Sequence, residues 1–411
     1  MVWYDSIDIH WIRYDRLPVL GVTTRAILCY FYIAGESYID QPYTIAETIQ
    51  SMAPKGLLER LHSGEKVVVA EGYLFNFERR GFLQAGPFVP TVVLDHPELV
   101  RQLHEEFVRA GSDVVQALTY YANREKLSLI DRETDLEKLN RDALRIAKGV
   151  AVKTNTLLAG NICNTNIFDV EDPVNREKVK KMFKEQIDII VEEGADFIIA
   201  ETFAIFAEAM IAVEAIKEYG KGITSVVTLA PELHNTEQGQ LLTVDNVEIT
   251  EAIKKLESAG ADVVGLNCSS GPDTMLSYME LIKKAGVKAP LACVPVPYRT
   301  TPKEHTFMLL TDPVTGEFVF PTNLDCALCT RDDIYKFGRR CDELGISYIG
   351  LCCGNAAAYT RTLCESIGRK PPASKYSPNM EVHCLFGKDE RVLKNHSKQT
   401  LENIVTRKGK M

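Results

Sequence analysis

Cys352 and Cys353 stand side by side in Tyr-Ile-Gly-Leu-Cys-Cys-Gly (348–354), and Cys268 closes the similar phrase Val-Val-Gly-Leu-Asn-Cys (263–268). Each phrase is an apolar run, then Gly-Leu, then cysteine where a strand should end. Adjacent cysteines can hardly bond to one another without strain, yet both can aim their sulfurs at one soft metal ion. Three thiolates from two strand ends suit a zinc ion that keeps one position open. Such a centre carries net negative charge, which makes it a poor activator of water. It is well suited to holding an incoming thiol as a nucleophilic thiolate. The expected chemistry is S-alkylation of a substrate thiol rather than hydrolysis, and it calls for no general base.

The 11 cysteines of the 411-residue chain are odd in number and fall mostly in apolar stretches, as in a reducing compartment. Cys326-Ala-Leu-Cys329 has C-x-x-C spacing but no second pair nearby, so Cys326 and Cys329 read as spectators. Two carboxylates look functional. Glu201 ends Phe-Ile-Ile-Ala-Glu (197–201) and Glu71 ends Val-Val-Val-Ala-Glu (67–71). A carboxylate that ends a buried strand must meet a partner, and an amino-acid ammonium would serve. Gly72 would let a substrate carboxylate approach backbone N–H groups. Phe88, in Ala-Gly-Pro-Phe-Val-Pro (85–90), and the pair Tyr120–Tyr121 have two readings. They are packing residues, or they form a cage for a positively charged methyl donor through cation–π attraction.

These residues need elements that bring them together. From residue 55 onward, continuous apolar runs alternate with amphipathic stretches. The runs are Lys66–Glu71, Asp113–Thr119, Asn155–Ile162, Asp196–Phe203, Ile223–Ala230, Asp262–Cys268, Pro290–Val296 and Ser347–Cys353. Helices are expected from His96-Pro97 to Gly111, over Glu177–Glu193, over Glu248–Ser258 and over Asp332–Leu344, each followed by glycine and then a strand. Eight such units make a single α/β domain, a (β/α)8 TIM-type barrel. An open doubly wound sheet is less expected, because no strand is followed by a Gly-x-Gly-x-x-Gly or Walker loop. In a barrel the chemistry lies at the C-terminal strand ends, which here carry Glu71, Thr119, Glu201, Asn267, Cys268, Cys352 and Cys353.

Residues 51–370 are assigned to the barrel, residues 1–50 to an extension outside it, and residues 371–411 to a charged tail or oligomerisation arm with weak helical pattern around Lys398–Val405. The apolar stretch beyond Arg25 is too short to span a membrane, which takes roughly 20 apolar residues. The acidic residues Asp5, Asp8 and Asp15 argue against a signal peptide. A cytoplasmic protein is expected. The net charge of −9 and the lack of a basic, aromatic-interleaved patch exclude a nucleic-acid surface. Small-molecule substrates are the expected partners.

Over roughly residues 55–375 the chain resembles the zinc-dependent homocysteine S-methyltransferases, most closely their betaine-using branch. The phrases that carry this are Gly-Leu-Leu-Glu-Arg-Leu (56–61), Phe-Glu-Arg-Arg-Gly-Phe (77–82), Ala-Gly-Pro-Phe (85–88), His-Pro-Glu (96–98), Gln-Leu-His-Glu-Glu-Phe (102–107), Ala-Glu-Thr-Phe (200–203), Gly-Leu-Asn-Cys (265–268) and Gly-Leu-Cys-Cys-Gly (350–354). The resemblance implies Zn(2+) on Cys268, Cys352 and Cys353, with homocysteine met by Glu201, Glu71, Gly72 and Thr119. It implies a methyl-donor pocket of Phe88, Tyr121 and Tyr120. The implied reaction takes a methyl group from betaine to homocysteine, giving methionine and dimethylglycine. A sulfonium donor such as S-methylmethionine is an alternative, and so is a barrel that binds zinc or a thiol without turnover. Two departures stand out. The branch has Asp-Gly-Gly at the end of strand one where this chain has Ala70-Glu71-Gly72, so Glu71 is expected to replace the acid only through a bend in the strand. The aromatic-rich C-terminal arm is short and altered, which leaves a dimeric homo-oligomer more in keeping than a tetramer.

Overall fold

Side-chain alternation on eight short strands decides what this molecule can place at its centre. In the computed structural model, which describes residues 55–230, 233–235, 240–383 and 387–393, the strands are β1 (Val67–Ala70), β2 (Val114–Gln116), β3 (Leu157–Cys163), β4 (Phe197–Phe203), β5 (Thr224–Leu229), β6 (Val263–Asn267), β7 (Leu291–Val294) and β8 (Tyr348–Leu351). All pair in parallel, in the order β1-β8-β7-β6-β5-β4-β3-β2. Between the first and last of these, Asp113 N donates to Val68 O at 2.8 Å, so the sheet nearly closes on itself as a (β/α)8 barrel.

Val67, Val69, Val114, Leu157, Ala159, Phe197, Ile199, Val226, Val263, Ala292, Val294 and Tyr348 pack together inside the barrel. Their neighbours Val68, Ala70, Val115, Leu158, Ile198, Ala200, Val227, Val264, Leu266, Ile349 and Leu351 pack outward, in one core with the helices. Burial on both faces is why the strands read as unbroken apolar runs rather than alternating ones.

The glycines expected to end helices do so. Gly111, Gly194 and Gly345 take left-handed conformations after the helices Pro97–Ala110, Pro173–Glu193 and Arg331–Leu344. The last of these opens with a capping box between Thr330 and Asp333. The second begins at Pro173, a turn ahead of the expected Glu177, because Asp172 accepts from Val174 N and sets the start earlier. Asn155, expected to start a strand, instead ends the helix Leu136–Thr154 with φ 54°.

The recurrent Gly-x-Asp phrase also has a physical role. Asp113, Asp196 and Asp262 accept from the backbone N–H of Val68, Leu158 and Ser225 at 2.7, 2.7 and 2.8 Å. Each carboxylate thus ties the start of its own strand to the strand before it. Arg60 and Arg369 pair with Asp113 at 2.8 and 2.6 Å and close the barrel floor.

A two-stranded antiparallel ribbon, Leu233–Asn235 with Gln240–Leu242, interrupts the connection after β5. Among the described residues no helix is long and apolar enough to cross a membrane. The expected extension over 1–50 and the helical pattern around Lys398–Val405 lie outside the described residues.

Candidate active site

Continuing the inward series to the strand ends gives the top layer of the barrel: Glu71, Gln116, Asn161, Glu201, Thr228, Asn267, Val296 and Cys352, all buried. Glu71 follows Val67 and Val69 on the inward face, so it needs no bend to enter the site; Ala70 faces the helices. The expectation of a bend is corrected by strand parity alone.

Glu201 is the hub of this layer. Its Oε1 accepts from Gln116 Nε2 at 2.7 Å and Asn161 Nδ2 at 2.6 Å, and its Oε2 accepts from Asn267 Nδ2 at 2.9 Å. The β4–β5 register breaks between Ala200 and Phe203, and Thr202 takes φ 64° there. This irregularity turns the strand end toward the mouth. Burial lifts Glu201 to about 7, against the hydrogen bond from Gln116. Burial, then the charge of Glu201, pushes Glu71 well above the carboxylate range, and the two carboxyls share a hydrogen bond. Glu71 Oε2, Gln116 Oε1, Asn161 Oδ1 and the Tyr348 hydroxyl are buried there without protein partners. Acceptors gathered this way suit an ammonium group.

Beside Glu201 lie the three sulfurs. Cys268 Sγ is 3.8 Å from Cys353 Sγ, and Cys352 Sγ is 3.9 Å from Cys353 Sγ. All three lie within 4.8 Å of one another. A zinc–sulfur bond of ~2.3 Å in a tetrahedron gives a sulfur–sulfur edge of ~3.8 Å, so the residues fit zinc. Hydrogen bonds from Cys352 and Cys353 hold Cys268 well below the thiol range. Both partners stay well above it, first through their bonding to Cys268. A dication would displace the remaining protons. Glu71, Glu201 and Cys352 form the other group of three ligand atoms brought within 4.8 Å among the described residues. Cys326 is exposed and donates to Asn323 O, and neither it nor Cys329 joins such a group.

Close packing fixes the Cys352–Cys353 turn. Gly72 (φ 78°) lies against the Cys352–Cys353 peptide, and Gly354 (φ 93°) lies under the Tyr298 hydroxyl, where a Cβ would fall 2.3 Å from that oxygen. Arg79 donates to the same hydroxyl at 3.0 Å and pairs with Asp325 at 2.9 Å.

The family model of homocysteine S-methyltransferase matches residues 74–367. The chain belongs to this family. It is 36% identical over 345 residues to betaine–homocysteine S-methyltransferase 1 of Xenopus tropicalis, covering 82% of this chain and 80% of that one. It is 35% identical over 334 residues to S-methylmethionine–homocysteine S-methyltransferase BHMT2 of Pongo abelii, covering 79% and 85%. The crystal structure of the metallated homocysteine methyltransferase MmuM from Escherichia coli shares the fold, with a TM-score of 0.58 at 16% identity over 74% of this chain and 98% of that one.

Within this homocysteine methyltransferase the sulfurs stand at the boundary of two cavities. The inner one, ≈ 20 Å³, is lined by Gly72, Tyr73, Gln116 and Glu201 among others. The outer one, ≈ 240 Å³, is lined by Phe75, Phe88, Tyr120, Tyr121, Phe307, Phe320, Asn164, Asn166 and Thr202 among others. Leu74, Tyr120 and Cys353 line both. Phe88, Tyr121, Thr202, Cys268 and Ser269 all take positive φ, which only surrounding packing can hold in non-glycine residues.

Not every expected residue reaches a cavity. Thr119 is fully buried, its hydroxyl donates to Asn161 O at 2.7 Å, and it lines neither cavity described above. It braces the end of β2 against β3. Gln116, Asn161 and Thr228 were legible only through strand parity, and Phe307 and Phe320 come from the long connection after β7, which carries no periodic signal.

Proposed function

We propose that this methyltransferase moves a methyl group from betaine to the sulfur of homocysteine, giving methionine and dimethylglycine. In this reading Cys268, Cys352 and Cys353 hold zinc. Zinc bound there would lower the pKa of the incoming thiol and keep its sulfur nucleophilic. Glu201 receives the substrate amino group, supported by Glu71 and the unpartnered acceptors around it. Gly72 and Tyr73 close the inner cavity around the amino-acid end, and the aromatic rings of the outer cavity hold the donor cation beside the sulfurs. Positioning and exclusion of water supply the acceleration. The methyl carbon leaves the quaternary nitrogen, whose bonding pair stays behind as the amine lone pair.

The observation that carries betaine is the lining of the outer cavity: among the described residues it offers aromatic rings and neutral amides beside the sulfurs, and no Asp or Glu. Betaine brings one cation, which the rings can face. S-methylmethionine brings a sulfonium and also an ammonium, and the latter would find no carboxylate among the described lining residues. The sulfonium reading stays as the second one, because relatives using either donor match over most of the chain. A donor panel with homocysteine as acceptor, reading methionine formed, tests the proposal. Turnover with betaine and not with S-methylmethionine is expected; the reverse would replace the donor, and no turnover with either in zinc-loaded protein would favour a binding barrel.

A further inference from the structure

Asn267 holds the last inward position of β6, immediately before Cys268 in the chain, and is fully buried. The backbone N–H of Thr202 can only donate, and it lies 2.9 Å from Asn267 Oδ1, which fixes the oxygen end of the amide. Thr228 Oγ1 donates to the same oxygen at 2.9 Å. The amide nitrogen is thereby turned toward Glu201 Oε2 at 2.9 Å, Thr202 Oγ1 at 2.9 Å and Cys352 Sγ at 3.8 Å.

We propose that Asn267 is a positioning residue that sets the span between the carboxylate for the amino group and the sulfur centre. Thiol acceptance thereby depends on an amino group at the correct distance. This rests on reading the site as a homocysteine site. Glu201 stands on β4 and Cys352 follows β8, on opposite sides of the mouth, and one neutral side chain reaches both. The two anchor points of the substrate are therefore tied to each other rather than held independently. No common substitute retains this link. Serine or alanine is too short to reach both groups. Aspartate keeps the shape but lacks the two N–H donors, and it would set a third carboxylate against Glu201 and Glu71.

The test compares homocysteine with its deamino counterpart 4-mercaptobutyrate, in full-length zinc-loaded wild type and in Asn267→Ser and Asn267→Ala. Thiol binding is read by calorimetry and zinc affinity by chelator competition. Homocysteine binding is expected to weaken at least about tenfold, the deamino thiol by no more than roughly threefold. Zinc affinity should fall roughly 10–100-fold, as for loss of a partner behind a metal ligand. Equal weakening of both thiols with zinc affinity unchanged would overturn the inference, as would no change in either. Should both variants fail to fold, Thr228→Val removes one donor from Asn267 Oδ1 without touching Glu201 or any sulfur. It should reduce the preference for homocysteine in the same direction, and an unaltered preference would overturn the inference. An inactive wild-type chain that still prefers homocysteine to the deamino thiol would count against methyl transfer alone.

Discussion

Gly72 packs on the Cys352–Cys353 peptide so closely that a Cβ added to it would fall 2.4 Å from Cys352 O and 2.7 Å from Cys353 N. The turn after β1 and the turn after β8 are thus one packed unit, and the sulfurs of Cys352 and Cys353 inherit their placement from it. Gly72→Ala adds that atom at φ 78°, a conformation that costs an L-residue about 1–3 kcal/mol. The backbone of Cys352 must move to admit it. Substoichiometric zinc and a loss of kcat/KM of roughly 100-fold or more are expected, a misplacement of about 1 Å sufficing for that. Metal analysis beside a methionine-formation assay checks this, and full zinc content in the Gly72→Ala variant would refute the packing argument.

Cys353 and Cys326 separate the proposed zinc site from the C-x-x-C alternative. The Cys353 sulfur stands 3.8 Å from Cys268 and 3.9 Å from Cys352, whereas Cys326 is exposed and donates to Asn323 O, away from the other sulfurs of the site. Cys353→Ser should lose zinc and activity together, while Cys326→Ser keeps about one zinc per chain. Removing the metal with a chelator should abolish turnover, and zinc should restore it. Zinc retained in Cys353→Ser but lost in Cys326→Ser would reassign the ligands.

Much of this site could be read from the chain because the strands are buried on both faces. Continuous apolar runs located all eight, and the residues that end them, Cys268, Cys352, Glu71 and Glu201, stood out as polar or reactive groups where burial should continue. Gln116, Asn161 and Thr228 did not stand out, since each lies inside a run read as one continuous strand, where a single amide or hydroxyl does not mark which face it takes. Their roles depend on which face each position takes, and that needs the register. Phe307, Phe320 and the Arg79–Tyr298–Asp325 link depend on tertiary packing of a connection with no period of its own.

Phe88 and Tyr121 should affect the donor and leave the acceptor alone. Both line the outer cavity, and neither lines the inner cavity that Glu201 lines. Phe88 meets Phe75 edge-on at 5.5 Å, and the Tyr120 and Tyr121 rings lie 4.4 Å apart. Losing one aromatic face from a desolvated cation costs about 0.5–2 kcal/mol. Phe88→Leu or Tyr121→Leu is therefore expected to raise the donor KM about 2–30-fold, with the homocysteine KM close to its original value. Initial-rate kinetics with each substrate varied in turn decides it. An unchanged donor KM in both variants would remove the rings from donor binding.

His104 gives the fold a pH dependence that the active site does not require. It is buried on the helix Pro97–Ala110, its ring meets Tyr73 edge-on at 5.1 Å, and neither nitrogen has a hydrogen-bond partner. Burial lowers it from 6.5 to about 3. The folded chain therefore keeps His104 neutral at pH values where the unfolded chain binds the proton. Its contribution to stability is fully present above the unfolded value near 6.5 and falls as pH drops toward about 3. The slope is about 1.4 kcal/mol per pH unit well below 6.5, one proton per chain. Urea unfolding at about pH 7.5 and about pH 5 should show this loss in the wild type. His104→Phe, which keeps a flat ring without a titrating group, should make the difference between the two pH values smaller by roughly 2 kcal/mol. An identical difference in both proteins would show that His104 finds a proton partner in the folded state.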